Sequence, residues 1–152
     1  MNVVTAARAI PVQDGLFAWP APQGEARLIV SRCPQCGDVS FPAVPHCRMP
    51  ACSLVATERS ELSGTGEIIT WTVQRFAPPG PFGRVDPYRP ITIALVEFTE
   101  PGIAILGQVW DGEEARLAPG RRARLVLGTL YAGDQGEDVI GWGFTLAGET
   151  AR

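Results

Sequence analysis

The four cysteines of this 152-residue chain are the residues best suited to chemistry, and they lie close together in the sequence. They form a C-x2-C pair followed by a C-x4-C pair: Cys33, Cys36, Cys47 and Cys52. Zinc prefers a tetrahedral shell of soft ligands, and cysteines about two to four residues apart can reach one ion from a single turn. Pro34 and Gly37 are turn residues, and glycine tolerates the positive φ that directs backbone N–H groups toward the sulfurs. The sequence therefore predicts a zinc ribbon with these four thiolates as ligands.

A closed shell of four thiolates leaves no open position on the metal, so the ion is expected to be structural and not catalytic. His46 flanks Cys47 and is an alternative ligand. The other interpretations of the four cysteines are a site for iron in place of zinc, two disulfides, and a redox C-x-x-C pair. The disulfides lack a secretory context, and turn residues surround Cys33 and Cys36 where a redox pair would begin a helix. Arg32 and Arg48 adjoin ligands and can offset the negative charge of the centre.

The charge composition excludes several classes of function. Thirteen basic and sixteen acidic residues give a net charge of -3 and a pI near 5.1, which argues against general affinity for nucleic acid or anionic membranes. Every basic residue is arginine, so chemistry that needs a lysine, such as Schiff-base formation, is excluded. A general base active at neutral pH would have to be His46 or a perturbed carboxylate.

The chain contains no run of about 18 apolar residues and no recognisable secretory signal at its N-terminus. We therefore expect a cytoplasmic protein with no membrane segment. The chain has 17 glycines and 14 prolines among its 152 residues, a composition that favours short strands and many turns over long helices.

Five segments after residue 60 have the β-branched and aromatic composition of strands: 66–75, 91–98, 103–110, 121–131 and 139–146. A proline-rich loop, 76–90, separates the first two. A small closed barrel removes the exposed edges of so few strands, so we predict a mainly β protein with a five-stranded OB-fold barrel. Glycines within these strands are expected to mark bends or bulges (Gly107, Gly128, Gly141 and Gly143).

The predicted organisation has three parts. Residues 1–25 form an N-terminal arm or short helix, residues 26–60 the zinc ribbon, with a strand at 28–30 entering its first knuckle, and residues 61–148 the barrel. Within the arm, Phe17 and Trp19 are either packed on the ribbon or barrel, or they anchor a partner subunit, since aromatic residues are common interface anchors.

The sequence resembles a prokaryotic family that joins a rubredoxin-like zinc ribbon to an acyl-CoA-associated OB-fold domain. The matching residues occur in order along about residues 14–146: Arg32-Cys33-x-x-Cys36-Gly37, Phe41-Pro42, Gly64–Val73, Pro87-Tyr88 and Ile91–Phe98. The second knuckle, with four residues between its cysteines, departs from the family pattern, and so does Pro119-Gly120-Arg121-Arg122.

The resemblance implies a non-catalytic, zinc-binding accessory subunit of an acyl-CoA-processing complex that makes or cleaves C–C bonds. The implied partner is a thiolase-like enzyme, a sterol-carrier-type thiolase or a retro-aldolase, with a MaoC-type hydratase as a further possibility. A CoA thioester is then expected at the interface with the partner. Arg75, Arg84 and Arg89 in or beside the proline-rich loop are candidates for contacts to CoA phosphates, with ordinary solvated surface residues as the alternative.

Two other classes of function remain as alternatives. Zinc ribbons and OB barrels also bind single-stranded nucleic acid, for which this chain offers aromatic residues (Trp71, Phe98 and Trp110) and an arginine cluster (Arg121, Arg122 and Arg124). The negative net charge opposes this function. An independent hydrolase or thioesterase would have to use carboxylates whose spacing does not pair them, namely Asp86, Glu97 and Asp111.

Overall fold

The computed structural model describes residues 8–148, which form strands and turns with no α-helix among them. The strands are β1 (Ala9–Pro11), β2 (Leu28–Arg32), β3 (Val39–Ser40), β4 (Glu58–Leu62), β5 (Thr65–Gln74), β6 (Ile91–Phe98), β7 (Ile103–Val109), β8 (Arg122–Ala132) and β9 (Asp138–Leu146). Short 3-10 helices occur at Pro22–Gly24, Pro50–Cys52, Pro81–Gly83 and Glu114–Arg116. Within residues 8–148, no helix is long and apolar enough to cross a membrane.

Five strands close into a barrel in the order β5-β6-β7-β9-β8, with β8 pairing back onto β5. All neighbouring pairs are antiparallel except β7 and β9, which run parallel through Gln108 and Val109. Alternate residues of β6 point into the barrel and are buried, among them Ala94, Val96 and Phe98. The mainly β class and the five-stranded OB-type barrel predicted from the sequence are confirmed.

A second, three-stranded antiparallel sheet in the order β3-β2-β4 precedes the barrel and carries the cysteines at one end. The strand predicted at residues 28–30 is confirmed as part of β2. The central strand β2 is almost entirely buried, whereas β4 exposes every residue except Leu62. A turn at residues 63–64 then leads directly from β4 into the first barrel strand.

The described part of the N-terminal arm, residues 8–25, contains strand β1, several turns and the 3-10 helix at Pro22–Gly24, and residues 14–19 form turns and a bridge where a short helix was one of the two predicted forms. Strand β1 pairs in parallel with β9 and so adds a sixth strand to the barrel sheet. Phe17 forms an isolated bridge with Leu28 and is buried, while Trp19 is 38% exposed with its ring edge-to-face on Phe17. Phe17 therefore packs on the ribbon. Residues 1–7 of the predicted arm lie outside the described residues.

The ribbon and the barrel share one apolar core. Leu28, Val30 and Leu62 of the ribbon sheet belong to the same buried cluster as Ile68 and Phe144 of the barrel. Because burial of each large apolar side chain contributes about 1.5–3 kcal/mol, this shared core couples the stability of the two parts. Phe41, which follows β3, adds an edge-to-face contact with Trp142 of β9 at a ring distance of 5.1 Å.

Gly66 closes the barrel where β5 passes from its pairing with β8 to its pairing with β6. A Cβ at this position would lie 2.5 Å from the Glu97 carbonyl oxygen and 2.7 Å from a Val96 methyl group, both on the facing strand. The Glu97 oxygen belongs to the backbone, which cannot move away from an added Cβ as the end of a flexible side chain can. We expect Gly66→Ala to lower the free energy of unfolding by about 1–3 kcal/mol in urea titrations, and Ser63→Ala, at an exposed position nearby, to change it by less than about 0.5 kcal/mol. Equal stability of the two variants would contradict the tight closure described here.

Candidate metal centre and apolar groove

The cysteines are positioned by two turns at one end of the ribbon sheet. Cys33 follows β2 directly, and its carbonyl oxygen accepts a hydrogen bond from the Gly37 N–H, which closes the first turn. Gly37 has a φ of 78°, as predicted for the residue that ends this knuckle. The second turn contains Cys47 and the 3-10 helix that ends at Cys52, so the two extra residues of the C-x4-C pair form that helical turn.

The four sulfur atoms have the geometry of a tetrahedral metal site. All four lie within 4.8 Å of one another, and the sulfurs of Cys36 and Cys47 are 3.6 Å apart. A Zn–S bond of about 2.3 Å in a tetrahedron requires sulfurs about 3.8 Å apart, so the cluster fits this ion. Cys33, Cys47 and Cys52 are buried, and Cys36 is exposed. The exposed His46 does not belong to the cluster, although it adjoins Cys47 in the sequence.

The thiols have unequal affinities for protons. A hydrogen bond from the Cys36 backbone N–H lowers the pKa of Cys33 to about 7. The Met49 N–H lowers the pKa of Cys47, but burial and the neighbouring thiols outweigh it, so the net change is upward. Burial raises the pKa of Cys52 to about 12. Only part of the cluster is therefore ionised at neutral pH by itself, and a bound divalent cation would supply the positive charge that stabilises four thiolates.

The contacts of Arg48 differ from the expectation that this residue offsets the negative charge of the metal centre directly. Arg48 donates from Nε to Asp38 at 3.0 Å and from Nη2 to the Val39 carbonyl oxygen at 3.3 Å. It therefore ties the second knuckle to the first knuckle and to β3. The contacts place Arg48 in a bridge between the knuckles, so its charge acts on the centre through this pair with Asp38.

An apolar groove of about 390 Å³ lies on the side of the barrel where β7 and β9 diverge. The residues that line it carry no formal charge, and its apolar lining residues include Val12, Phe82, Ile91, Ile93, Leu106 and Trp142. Gln74 and Gln108 are the lining residues with amide side chains. Leu106 is 59% exposed to solvent within this groove, although leucine is normally buried in a small barrel.

The proline-rich loop 76–90 is fixed against the barrel and forms one wall of this groove. The Tyr88 hydroxyl donates to the Gln74 carbonyl oxygen at 3.0 Å. The Phe82 ring meets the Tyr131 ring edge-to-face at 5.0 Å, and Arg84 pairs with Asp134 at 2.6 Å. These contacts join the loop to the end of β5, to β8 and to the β8–β9 turn, so the wall is built by specific interactions.

The structure separates the three arginines predicted to contact CoA phosphates into two places. Arg75 follows Gln74, and Arg89 precedes Pro90 and Ile91; because Gln74 and Ile91 are paired, both arginines lie in the chain where β5 ends and β6 begins. Arg75 pairs with Glu114 at 2.7 Å, and both side chains are more than half exposed. Arg84 lies elsewhere on the loop, in its pair with Asp134. Nothing in the described contacts tests their binding to CoA, which stays a prediction.

The aromatic residues considered for nucleic-acid stacking are not displayed together. Phe98 is 3% exposed and lies in the barrel core, where it packs near Phe144. Trp71 is half-buried and packs against the same core. Trp110 lies over Gly128, where a Cβ would be 2.9 Å from its ring. A surface that stacks successive bases needs several exposed ring faces, and Phe98 does not supply one because it is buried in the core.

Comparison with known proteins identifies the family. The family model described as the rubredoxin-like zinc ribbon domain of ChsH2 matches residues 24–55, and the one described as the C-terminal OB-fold domain of ChsH2 matches residues 59–128. A DUF35 domain-containing scaffold protein of Pyrococcus furiosus is 31% identical over 125 residues, covering 82% of this chain and 85% of the relative. The chain belongs to the DUF35 family. A DUF35 scaffold protein of Methanocaldococcus jannaschii is 34% identical over 119 residues, covering 77% of this chain and 79% of the relative.

A solved structure supports the same relationship in three dimensions. The DUF35 chain described here matches a chain of a structure titled Ltp2-ChsH2(DUF35) aldolase with a TM-score of 0.57 and 27% sequence identity, covering 79% of this chain and 84% of the other. The resemblance to a family with a zinc ribbon and an OB-fold, noted from the sequence, is therefore confirmed. The four clustered cysteines of this DUF35 protein, in a region that matches a zinc ribbon, support a structural zinc ion.

The apolar groove was not predicted from the sequence, although β6 contains a signal for it. On this strand Ala94, Val96 and Phe98 are buried in the barrel together with Thr92, and three of the four residues on the other face, Ile91, Ile93 and Leu95, are also apolar and half-buried, whereas Glu97 is exposed. A strand with one face in water normally alternates apolar and polar residues. Two apolar faces therefore indicate that something covers the outer one.

Proposed function

We propose that this chain is the non-catalytic, zinc-binding subunit of an acyl-CoA-processing complex whose catalytic enzyme makes or cleaves C–C bonds. In this proposal the partner is a thiolase-like enzyme or a retro-aldolase, with a MaoC-type hydratase as a further component. The observation that carries the proposal is the structural match to a DUF35 chain of an aldolase, together with relatives named as scaffold proteins. A scaffold protein is expected to occur in a complex with an enzyme.

The metal site and the placement of the cysteines support a non-catalytic role for this chain. The metal site has four sulfur ligands and no open position, so substrate cannot bind the ion. All four cysteines of the sequence lie in that site, which leaves no thiol for covalent thioester chemistry. In the proposal, the nucleophile and the general base belong to the partner, and this chain supports the partner's fold and its acyl-CoA channel.

The proposal assigns a part to each region of the chain. Residues 1–25 are the arm, residues 26–60 the ribbon held by zinc, and residues 61–148 the barrel. Trp19, which remains 38% exposed beside Phe17, and the proline-rich loop with exposed Phe76 and Val85 are the segments proposed to meet the partner or its CoA thioester. Arg75, Arg84 and Arg89 are proposed to contact CoA phosphates, and the complex is proposed to be cytoplasmic.

Isolation of the complex from its native cell tests the proposal. We expect the affinity-tagged chain to co-purify with a thiolase-like, aldolase-like or hydratase enzyme, identified by mass spectrometry, and to contain one zinc ion per copy by elemental analysis. Zinc and iron are distinguished by the same measurement. A chain carrying Cys33→Ser serves as the control that lacks the intact ribbon. Recovery of the chain alone, or only with unrelated proteins, would contradict the proposal.

A further inference from the structure

We propose that Cys36 is a site of reversible oxidation, at which a peroxide forms a disulfide between Cys36 and Cys47 and the chain releases its zinc ion. Exposure to solvent decides which ligand reacts first. Cys36 is exposed, whereas the other three ligands are buried: Cys33, Cys47 and Cys52 have 1%, 8% and 3% of their surface exposed. A cysteine that binds a metal is a thiolate, and thiolates that solvent reaches are the ones that peroxides oxidise. Because no partner takes part in this reaction, its outcome is independent of the proposed function.

Cys47 is placed to react with the oxidised Cys36. The two sulfur atoms are 3.6 Å apart, and Cys47 is the least buried of the other three ligands. The two cysteines belong to different knuckles. Cys36 lies in the turn that the Gly37 N–H closes onto the Cys33 carbonyl oxygen, and Cys47 precedes the 3-10 helix that ends at Cys52. A disulfide between them therefore joins the two knuckles, as the metal does before the reaction.

The reaction transfers two electrons from the two sulfurs to one molecule of hydrogen peroxide. The Cys36 thiolate attacks one peroxide oxygen, the O–O bond breaks, and a sulfenic acid and a hydroxide ion form. The Cys47 thiolate then attacks the Cys36 sulfur, the S–O bond breaks, and a second hydroxide ion leaves as the S–S bond forms. Two protons from solvent convert the two hydroxide ions to water.

The ion loses two of its four ligands in this reaction. Cys33 and Cys52 remain, and two thiolates do not complete the tetrahedral shell that binds zinc tightly. Strand β2, which leads into Cys33, carries Leu28 and Val30 in the core that the ribbon shares with the barrel. Oxidation is therefore expected to lower the melting temperature of the whole chain, and reduction with added zinc is expected to restore it.

Treatment of the zinc-loaded, full-length chain with hydrogen peroxide tests the proposal. A chromogenic chelator measures the released zinc against an untreated sample, and N-ethylmaleimide then blocks the thiols that remain. We expect one zinc ion to be released for each disulfide formed, with two blocked thiols per chain. Dithiothreitol and zinc should then restore the zinc content and the melting temperature. Retention of zinc under peroxide, or zinc loss that reduction does not reverse, would overturn the proposal.

Peptide mapping identifies which cysteines are joined. Trypsin cleaves after the arginines at positions 32 and 48, and Asp-N cleaves before the aspartate at position 38, so Cys36 and Cys47 fall in the separate peptides 33–37 and 38–48. We expect a disulfide that joins these two peptides, with maleimide on Cys33. A disulfide within peptide 33–37, or maleimide on Cys36, would overturn the proposal.

The chain unfolded in guanidinium chloride with a chelator is the control for the pairing. Without the fold, the shorter loops within each knuckle close more easily, so peroxide should join Cys33 to Cys36 and Cys47 to Cys52. The same Cys36–Cys47 product from the folded and the unfolded chain would show that the arrangement of the knuckles does not select it, and this result would overturn the proposal.

Met49→Leu is the control for oxidation of a neighbouring sulfur. Met49 is 44% exposed and its N–H donates to the Cys47 sulfur at 3.4 Å, so a sulfoxide at this position would lie beside the metal centre. The variant keeps all four ligands and should release zinc at the rate of the parent chain. A Met49→Leu chain that retains zinc under peroxide would identify the methionine as the oxidised residue and would overturn the proposal.

Discussion

Replacing Cys33 by serine is expected to remove the metal and to lower the free energy of unfolding of the whole chain by more than about 4 kcal/mol. Cys33 is 1% exposed, and its sulfur lies within 4.8 Å of the other three. Structural zinc contributes about 10–16 kcal/mol in small zinc domains, so loss of one of four ligands weakens the main stabilising interaction of the ribbon. Elemental analysis and thermal unfolding followed by circular dichroism measure the two effects.

Ser53→Ala is the matched control for this prediction, because Ser53 is exposed and directly follows Cys52. It should keep one metal ion per chain and a melting temperature close to that of the parent. Removal of the metal by a chelator should reproduce the effect of Cys33→Ser on the parent chain. A Cys33→Ser variant with a full complement of metal and an unchanged melting temperature would show that the sulfur cluster is not the metal site.

Leu28→Ala is expected to destabilise the whole chain by about 2–5 kcal/mol, and to do so in a single transition. Leu28 lies on ribbon strand β2 and is completely buried in the cluster that also contains Ile68 and Phe144 of the barrel. The cavity left by the substitution therefore weakens both parts together. Urea unfolding followed by tryptophan fluorescence and by far-UV circular dichroism should give coincident curves.

The same leucine-to-alanine change at Leu54 is the control, since this side chain is 81% exposed. It should alter the free energy of unfolding by no more than about 0.5 kcal/mol. Two separate transitions in Leu28→Ala, with the barrel transition at the urea concentration of the parent, would show that the ribbon and the barrel fold independently and would contradict the shared core.

The parts of the fold that were predictable have strong local signals. The cysteine spacing and Gly37 predict the knuckles, because metal geometry limits which spacings can meet one ion. The segments 66–75 and 91–98 are rich in β-branched residues, and they form strands close to the predicted limits. The number of such segments, and the need to leave no open edge, then point to a barrel.

Three strands were not predicted: β3 has only two residues, and the sequences of β1 and β4 lack a signal of their own. Strand β4 reads Glu-Arg-Ser-Glu-Leu and is stabilised by its pairing with the buried β2, with only Leu62 contributing to the core. Strand β1 has three residues and exists through its parallel pairing with β9. In both cases the partner strand, which is distant in the sequence, determines the structure.

The glycines within the strands have the expected role only in part. The register shift between Thr129 and Tyr131 directly follows Gly128, and its extra residue, Leu130, would lie 2.3 Å from a Cβ at Gly141. The other shift, between Ile68 and Thr70, has none of these glycines beside it. Gly128 and Gly143 also leave room for the Trp110 ring, which covers them. A missing side chain permits a bulge or a close approach equally well, and only the position of the distant ring decides between them.

The apolar groove could not be derived from sequence for a similar reason. Its lining comes from the segment after β1, from the loop 76–90 and from all five barrel strands. Most of these residues, taken alone, are ordinary apolar residues. The three candidate arginines were chosen from the sequence because they lie in or beside the proline-rich loop. The structure adds that Arg75 and Arg89 lie where β5 ends and β6 begins, whereas Arg84 pairs with Asp134.

The most direct test of the proposed role is an activity measurement with the purified components. The co-purifying enzyme is assayed for acyl-CoA cleavage or condensation alone, with the zinc-loaded chain and with Cys33→Ser, and the chain is assayed alone. We predict turnover only when the enzyme and the zinc-loaded chain are combined. Thioester turnover by the isolated chain, or equal activity of the enzyme with and without it, would contradict the account of a supporting subunit.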